Sequence, residues 1–168
     1  MPAEVIVNRA IREQLWKQAK QRSQQTTSKG WVKVIDKERT DPEIKFAGDV
    51  AEFAFHIWAG LSYDFDKKPD APDFLWNGKI GEVKDVMEGK PRLLKIPKWQ
   101  WDGPHKDVYV LVVTAPGGFC TVVGWITGGR LSRDGQLQTF KKYPDRPMWT
   151  ISADKLDDIE TLKQYVLT

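Results

Sequence analysis

Thiol chemistry is almost missing from this chain of 168 residues, because Cys120 is its single cysteine. One thiol closes no internal disulfide and anchors no cysteine zinc site, which points to a reducing compartment. Long hydrophobic runs are missing too. The longest, Val108 to Ala115, already contains Thr114 and falls far short of the roughly 20 residues of a membrane helix. No membrane span is expected. The opening Met1-Pro2-Ala3-Glu4 mixes charge with Val5, Ile6 and Val7 in place of a signal peptide's apolar segment, so the expected location is cytoplasmic. There is no phosphate-cradling glycine loop and no serine-hydrolase elbow, and Gly128-Gly129 reads as a turn. Internal repeats and low-complexity tracts are absent. Charge of one sign is scarce as well: 26 basic and 23 acidic residues leave a net +3, too little to mark a nucleic-acid binder by its total.

What is present describes a folded domain. Apolar residues make up 40% and charged residues 29%, with 8 Trp and 7 Phe, a composition that excludes a disordered tail. A single domain spanning 1–168 is expected, and a chain of this length buries roughly 70% of its unfolded surface. The charge is also unevenly placed. Met1 to Lys33 carries 7 basic residues against Glu4 and Glu13, whereas Val34 to Asp73 carries 10 acidic and 5 basic. From Val86 to Lys106 the balance turns positive again, with Lys90, Arg92, Lys95, Lys98 and Lys106 against Glu88 and Asp102. Solvated surface accounts for either basic segment alone. Together they suit an anionic polymer lying across an acidic, metal-holding centre.

Apolar spacing at Val5, Ile6, Ala10, Ile11, Leu15 and Ala19 predicts an N-terminal helix over about 4–24. A strand is expected at Trp31 to Ile35 and a loop at Asp36 to Glu43. A second helix, Asp49 to Leu61, places Val50, Phe53, Ala54, Ile57 and Trp58 on one buried face. Asn77-Gly78 between apolar stretches predicts a hairpin, since both turn residues must accept positive φ. Strands follow at Val108 to Ala115 and Phe119 to Ile126, separated by a Pro116-Gly117-Gly118 turn. A C-terminal helix over about 152–166 starts at Ser152, a plausible N-cap.

The hairpin register gives the chemistry. A two-residue Asn77-Gly78 loop sets Trp76 opposite Lys79, Leu75 opposite Ile80, and Asp73 opposite Glu82. Lys84 shares the face of Glu82, while Val83 and Phe74 point to the other side. Directly opposed carboxylates destabilise a hairpin. A hard divalent cation, which takes oxygen ligands, reverses that sign. A plain exposed hairpin on which Lys84 neutralises one of two acids is the competing explanation.

Pro72-Asp73, eight residues, then Glu82-Val83-Lys84 resembles the motif of the PD-(D/E)XK nuclease superfamily, whose upstream helical acid is matched by Glu52 in Gly48-Asp49-Val50-Ala51-Glu52. The resemblance covers Gly48 to Ile126. It implies an α/β fold with a restriction-endonuclease-like αβββαβ core, about 46–127, in which a small mixed sheet is flanked by helices. The implied cofactor is Mg2+, with Mn2+ as a substitute, held by Asp73, Glu82, the Val83 carbonyl and Glu52. The implied partner is DNA, and the implied reaction is phosphodiester hydrolysis, endonuclease favoured over exonuclease. Lys84 would orient the attacking water or stabilise charge on the phosphate oxygens. The Gln-x-x-x-Tyr signature of RecB-like exonucleases does not follow Lys84, although Gln100 lies in that region, and the serine motif of archaeal Holliday junction resolvases is missing. The short chain looks like stand-alone nucleases of phages and mobile elements, which would act in a host cytoplasm.

Other residues compete for these roles. Asp70, in Pro69-Asp70, is a rival to Asp73 whose register falls beyond the paired hairpin. Asp49 and Glu52 both suit a helix N-terminus on dipole grounds. His56, four residues after Glu52, reads more simply as a buried, hydrogen-bonded histidine. Lys90, Arg92, Lys95, Lys98 and Gln100 are the candidate nucleic-acid contacts, with tryptophans among them that either stack on bases or belong to the core. A nuclease that cuts both strands could act as a homodimer, though no coiled-coil heptad is present. Two other functions fit the same residues: a catalytically inactive nucleic-acid-binding protein of the same fold, and a phage structural or partner-binding protein.

Overall fold

Val5 and Ile6 do not open a helix. Ala3–Ile6 alternates half-buried and exposed residues and forms an edge strand, β1. Helix α1, Arg9–Ser28, begins only after Asn8, whose Oδ1 accepts the Ile11 N–H at 2.9 Å. That cap answers one of the four free donors of a helix start, which periodicity alone does not reveal. The computed structural model describes residues 1–28, 39–68, 70–103, 106–141 and 143–168, so the strand expected at Trp31 to Ile35 lies outside the described residues.

Helix α2 runs over Asp41–Ala59, eight residues further upstream than its apolar face predicts. The polar stretch supplies the N-cap, Thr40. Thr40 Oγ1 accepts the Glu43 N–H at 3.4 Å and donates to Glu43 Oε1 at 2.9 Å, while Pro42 suits the first turn. Gly60, at φ 72°, closes the other end in the left-handed conformation.

Strands β2 (Phe74–Trp76) and β3 (Lys79–Met87) form the expected hairpin. The observed pairs are Phe74 with Gly81, Leu75 with Ile80 and Trp76 with Lys79. Asn77 and Gly78 take φ of 52° and 82°, and Asn77 Nδ2 donates to the Val166 carbonyl at 3.1 Å. Beyond them lie β4 (Leu93–Pro97), α3 (Lys98–Trp101), β5 (Val108–Thr114), β6 (Phe119–Thr127) and α4 (Gly128–Asp134). Gly128-Gly129 is therefore no turn: Thr127 Oγ1 accepts the Arg130 N–H at 3.2 Å and starts α4. The chain ends with β7 (Gln136–Phe140), β8 (Tyr143–Ser152), β9 (Asp157–Asp158) and α5 (Glu160–Leu167).

The C-terminal helix thus starts at Glu160, not at Ser152, which ends β8 and makes no side-chain cap bond. Asp157 and Asp158 pair with Trp125 and Gly124 of β6, and Asp158 Oδ1 accepts the Glu160 N–H at 3.0 Å. Sheet pairing takes these residues from the helix and moves the start of α5 downstream.

The main sheet has the order β1-β6-β5-β3-β2, with β9 added on β6, and β3 runs parallel to β5. From α2 to β5 the elements read α-β-β-β-α-β, but β4 leaves the main sheet and pairs with β8, in a second sheet ordered β4-β8-β7. Two cores explain the split. Val108, Val110 and Val112 of β5 face α2 and α5, with Val50, Ala54, Phe55 and Leu162. Tyr109 and Leu111, on the other face, pack with Leu94, Ile96, Trp101, Leu131 and Ile151. The chain is therefore mixed α/β, with a sheet between helices on one side and a smaller sheet with α3 and α4 on the other. Among the described residues no helix is long and apolar enough to cross a membrane.

Candidate active site

Gly81 fixes where the Asp73 carboxylate can go. A Cβ built on it would lie 1.8 Å from Phe74 Cζ, so the Phe74 ring lies flat over the glycine. Phe74 also stacks on Phe55 of α2, with centroids 4.4 Å apart. This wedge ties the hairpin to the helix that carries Glu52, one residue from Asp73.

Asp73 divides its two oxygens between two neighbours. Oδ2 accepts the Val83 N–H at 2.8 Å, and Oδ1 accepts from Lys67 Nζ at 3.0 Å. The same ammonium reaches Glu52 Oε1 at 2.7 Å. One cation therefore serves two carboxylates in a largely buried place, since the Glu52 side chain is only 8% exposed. Burial, then the Asp73 charge, push the Glu52 carboxyl up to about 8, against the pull of Lys67. Burial alone would lower Lys67, but Asp73 and Glu52 outweigh it and raise it. Asp49, one turn before Glu52, is pushed up to about 6 by burial, although Arg22 of α1 forms an ion pair with it. Neither acid is at a helix N-terminus, because α2 begins at Asp41. The dipole explanation of both is thereby removed.

On the face of β3 away from the Val83 side chain, Lys84 Nζ lies 2.7 Å from Glu82 Oε1 and 2.8 Å from Gln100 Oε1. Gln100 belongs to the single turn α3, anchored by buried Trp101 against Tyr109 and Trp149. Gln100 is thus a neighbour of Lys84 itself, a contact across 16 residues of sequence. The candidate residues fall into two groups, Glu52 and Asp73 with Lys67, and Glu82 and Lys84 with Gln100, joined through the Val83 backbone. Among the described residues, no three His, Cys, Asp or Glu side chains stand together as a metal cage. The donor chemistry nevertheless suits a hard cation, because the acids supply oxygen only and two of them share a single positive charge.

His56 matches its plain interpretation: it is buried, its Nδ1 lies 2.8 Å from the Glu52 carbonyl, and burial lowers its pKa. Asp70 is exposed. Lys90, Arg92, Lys95 and Lys98 are exposed along the β3–β4 turn, β4 and α3. Lys95 lies 4.6 Å from the Phe140 ring centroid, and Lys98 pairs with Asp102. Trp101 is core, whereas Trp99 is 71% exposed. Lys67 and Arg22 escape sequence reasoning, since a lysine inside the acidic run Asp64 to Asp73 carries no motif of its own. Compared with protein-family models, curated proteins and solved structures, the chain matches none.

Proposed function

We propose that this protein is a metal-dependent nuclease that hydrolyses phosphodiester bonds in DNA, with a PD-(D/E)XK-type arrangement of Asp73, Glu82, Lys84 and Glu52. The observation that carries this reading is the double engagement of Asp73. It accepts the N–H of Val83, the middle residue of Glu82-Val83-Lys84, and shares Lys67 with Glu52. Residues far apart in sequence thereby meet at one hairpin.

Asp73, Glu82 and the Val83 carbonyl would hold Mg2+, with Glu52 as a further oxygen donor. Bound there, the ion supplies Lewis-acid polarisation of the phosphate and a water of lowered pKa. Lys84 acts next to it: its ammonium offers positive charge to the phosphate oxygens as they gain charge, and Gln100 keeps it pointed. The exposed Lys90, Arg92, Lys95 and Lys98 bind phosphates without reading sequence.

A second reading, a catalytically inactive DNA-binding protein, is favoured by one observation: each acid of the motif already has a lysine partner. Cleavage of linear duplex, single-stranded, supercoiled and branched DNA with Mg2+, Mn2+ or EDTA separates the two. Metal-dependent cutting by wild type, lost in Asp73→Ala and Lys84→Ala, is the expected result. DNA binding that survives EDTA, with no cutting under any metal, supports the inactive binder.

A further inference from the structure

Lys67 bridges two of the carboxylates that the proposed function gives to a metal ion. Its Nζ makes contacts of 2.7 Å to Glu52 Oε1 and 3.0 Å to Asp73 Oδ1. The loop that delivers it is well tied. Tyr63 meets Phe65 and Phe53 edge to face at centroid distances of 4.9 and 5.0 Å, and Phe65 lies tilted on Phe53 at 6.0 Å. Gln18 Nε2 of α1 donates to the Phe65 carbonyl at 3.2 Å, and Asp64 Oδ1 accepts the Asp66 N–H at 2.9 Å. The backbone at Lys67 is therefore anchored, while its side chain is a compact charge on a flexible four-carbon stem.

We propose that Lys67 is an internal counter-ion, which holds Glu52 and Asp73 together when no divalent ion is bound and withdraws when one binds. The inference rests on the metal-dependent reading above. It gives Lys67 two opposing effects that a merely structural lysine lacks. Without it, Glu52 and Asp73 lose the group that hydrogen-bonds both in the metal-free protein, and stability falls. Without it, a divalent ion also meets those carboxylates with no competitor, and binds more tightly. A lysine that only braces the loop would, on removal, weaken both.

The test is Mn2+ binding to the whole chain without nucleic acid, read from the electron paramagnetic resonance signal of free Mn2+. Lys67→Met is expected to lower the Mn2+ dissociation constant by roughly tenfold or more, as the loss of a unit charge at this range implies. Its thermal midpoint in EDTA should also fall, and adding Asp73→Asn should cancel the tighter binding. If Lys67→Met does not fold, Glu52→Gln is compared with Glu52→Gln/Lys67→Met, which removes one charge of each sign, and the double variant should bind Mn2+ more tightly. Equal or weaker Mn2+ binding by the lysine-free variant, with wild type still binding, overturns the counter-ion role and leaves the nuclease reading standing. Absence of Mn2+ binding by all variants overturns both.

Discussion

At Glu52 burial works against the charge that a metal-binding role requires. Its folded-state carboxyl, pushed up to about 8 by burial and by Asp73, lies above its ordinary value of 4.5. Between these values the native state holds a proton that the unfolded chain has released, so stability falls as pH rises through this window. Asp49, raised to about 6 from 3.8, adds a fall of the same sign at the acidic end. Glu52→Gln removes the larger contribution. In EDTA, thermal midpoints of wild type should decline between about 4.5 and 8 more steeply than those of Glu52→Gln, and identical pH profiles would refute this account. A second residue-scale expectation concerns Gln100, which contacts Lys84 at 2.8 Å. Hydrogen bonds to charged groups contribute roughly 1.5–3 kcal/mol. Under the proposed nuclease reading, Gln100→Leu should therefore slow cleavage by about tenfold or more, with DNA affinity retained and activity partly restored by Gln100→Glu. A fall in affinity equal to the fall in rate would make Gln100 a DNA contact.

Among the elements, the β2–β3 hairpin is where sequence and structure agree most closely. Asn-Gly permits few alternatives: both residues need positive φ, the loop length sets the register, and a slip by one would turn Val83 and Phe74 out of the core. The strands β5 and β6 were equally legible from their apolar runs. The starts of helices were not. Asn8, Thr40 and Asp158 each end a non-helical segment with a side-chain oxygen on a backbone N–H, a local bond that apolar spacing does not register. The second sheet also stayed hidden, since β4 owes its place to β8, a strand more than 50 residues further along the chain. For the candidate site, spacing singled out Asp73, Glu82 and Lys84, whereas the contacts of Lys67 with Glu52 and Asp73 come from the path of a loop. Gly81 offers the test at this scale. Its substitution by alanine sets a methyl 1.8 Å from Phe74 Cζ, and overpacking of this kind costs roughly 1–3 kcal/mol. Gly81→Ala should lower the urea midpoint and, by shifting Phe74 beside Asp73, depress cleavage beyond what the lost stability explains. Unchanged stability would show that the ring moves freely.

Across the whole molecule the basic residues are not equivalent, although the sequence presents them as one run. Lys98 is committed to Asp102 and Lys95 lies over the Phe140 ring, where burial lowers its pKa. Each such partner must be given up, or shared, before a phosphate can use the charge. Arg92 projects from the strand-free link into β4 and is exposed. Phosphate contacts release counterions, so the logarithm of affinity falls with the logarithm of salt by about 0.9 for each contact on duplex DNA. Arg92→Gln should therefore reduce that slope by about one and weaken binding alike on unrelated sequences. Lys98→Gln should reduce it by less, because its positive charge is already partly offset in the free protein. These slopes, measured by fluorescence anisotropy in EDTA on a Lys84→Ala background, read binding alone. Equal slopes for both variants and wild type would move the DNA path off β4 and α3.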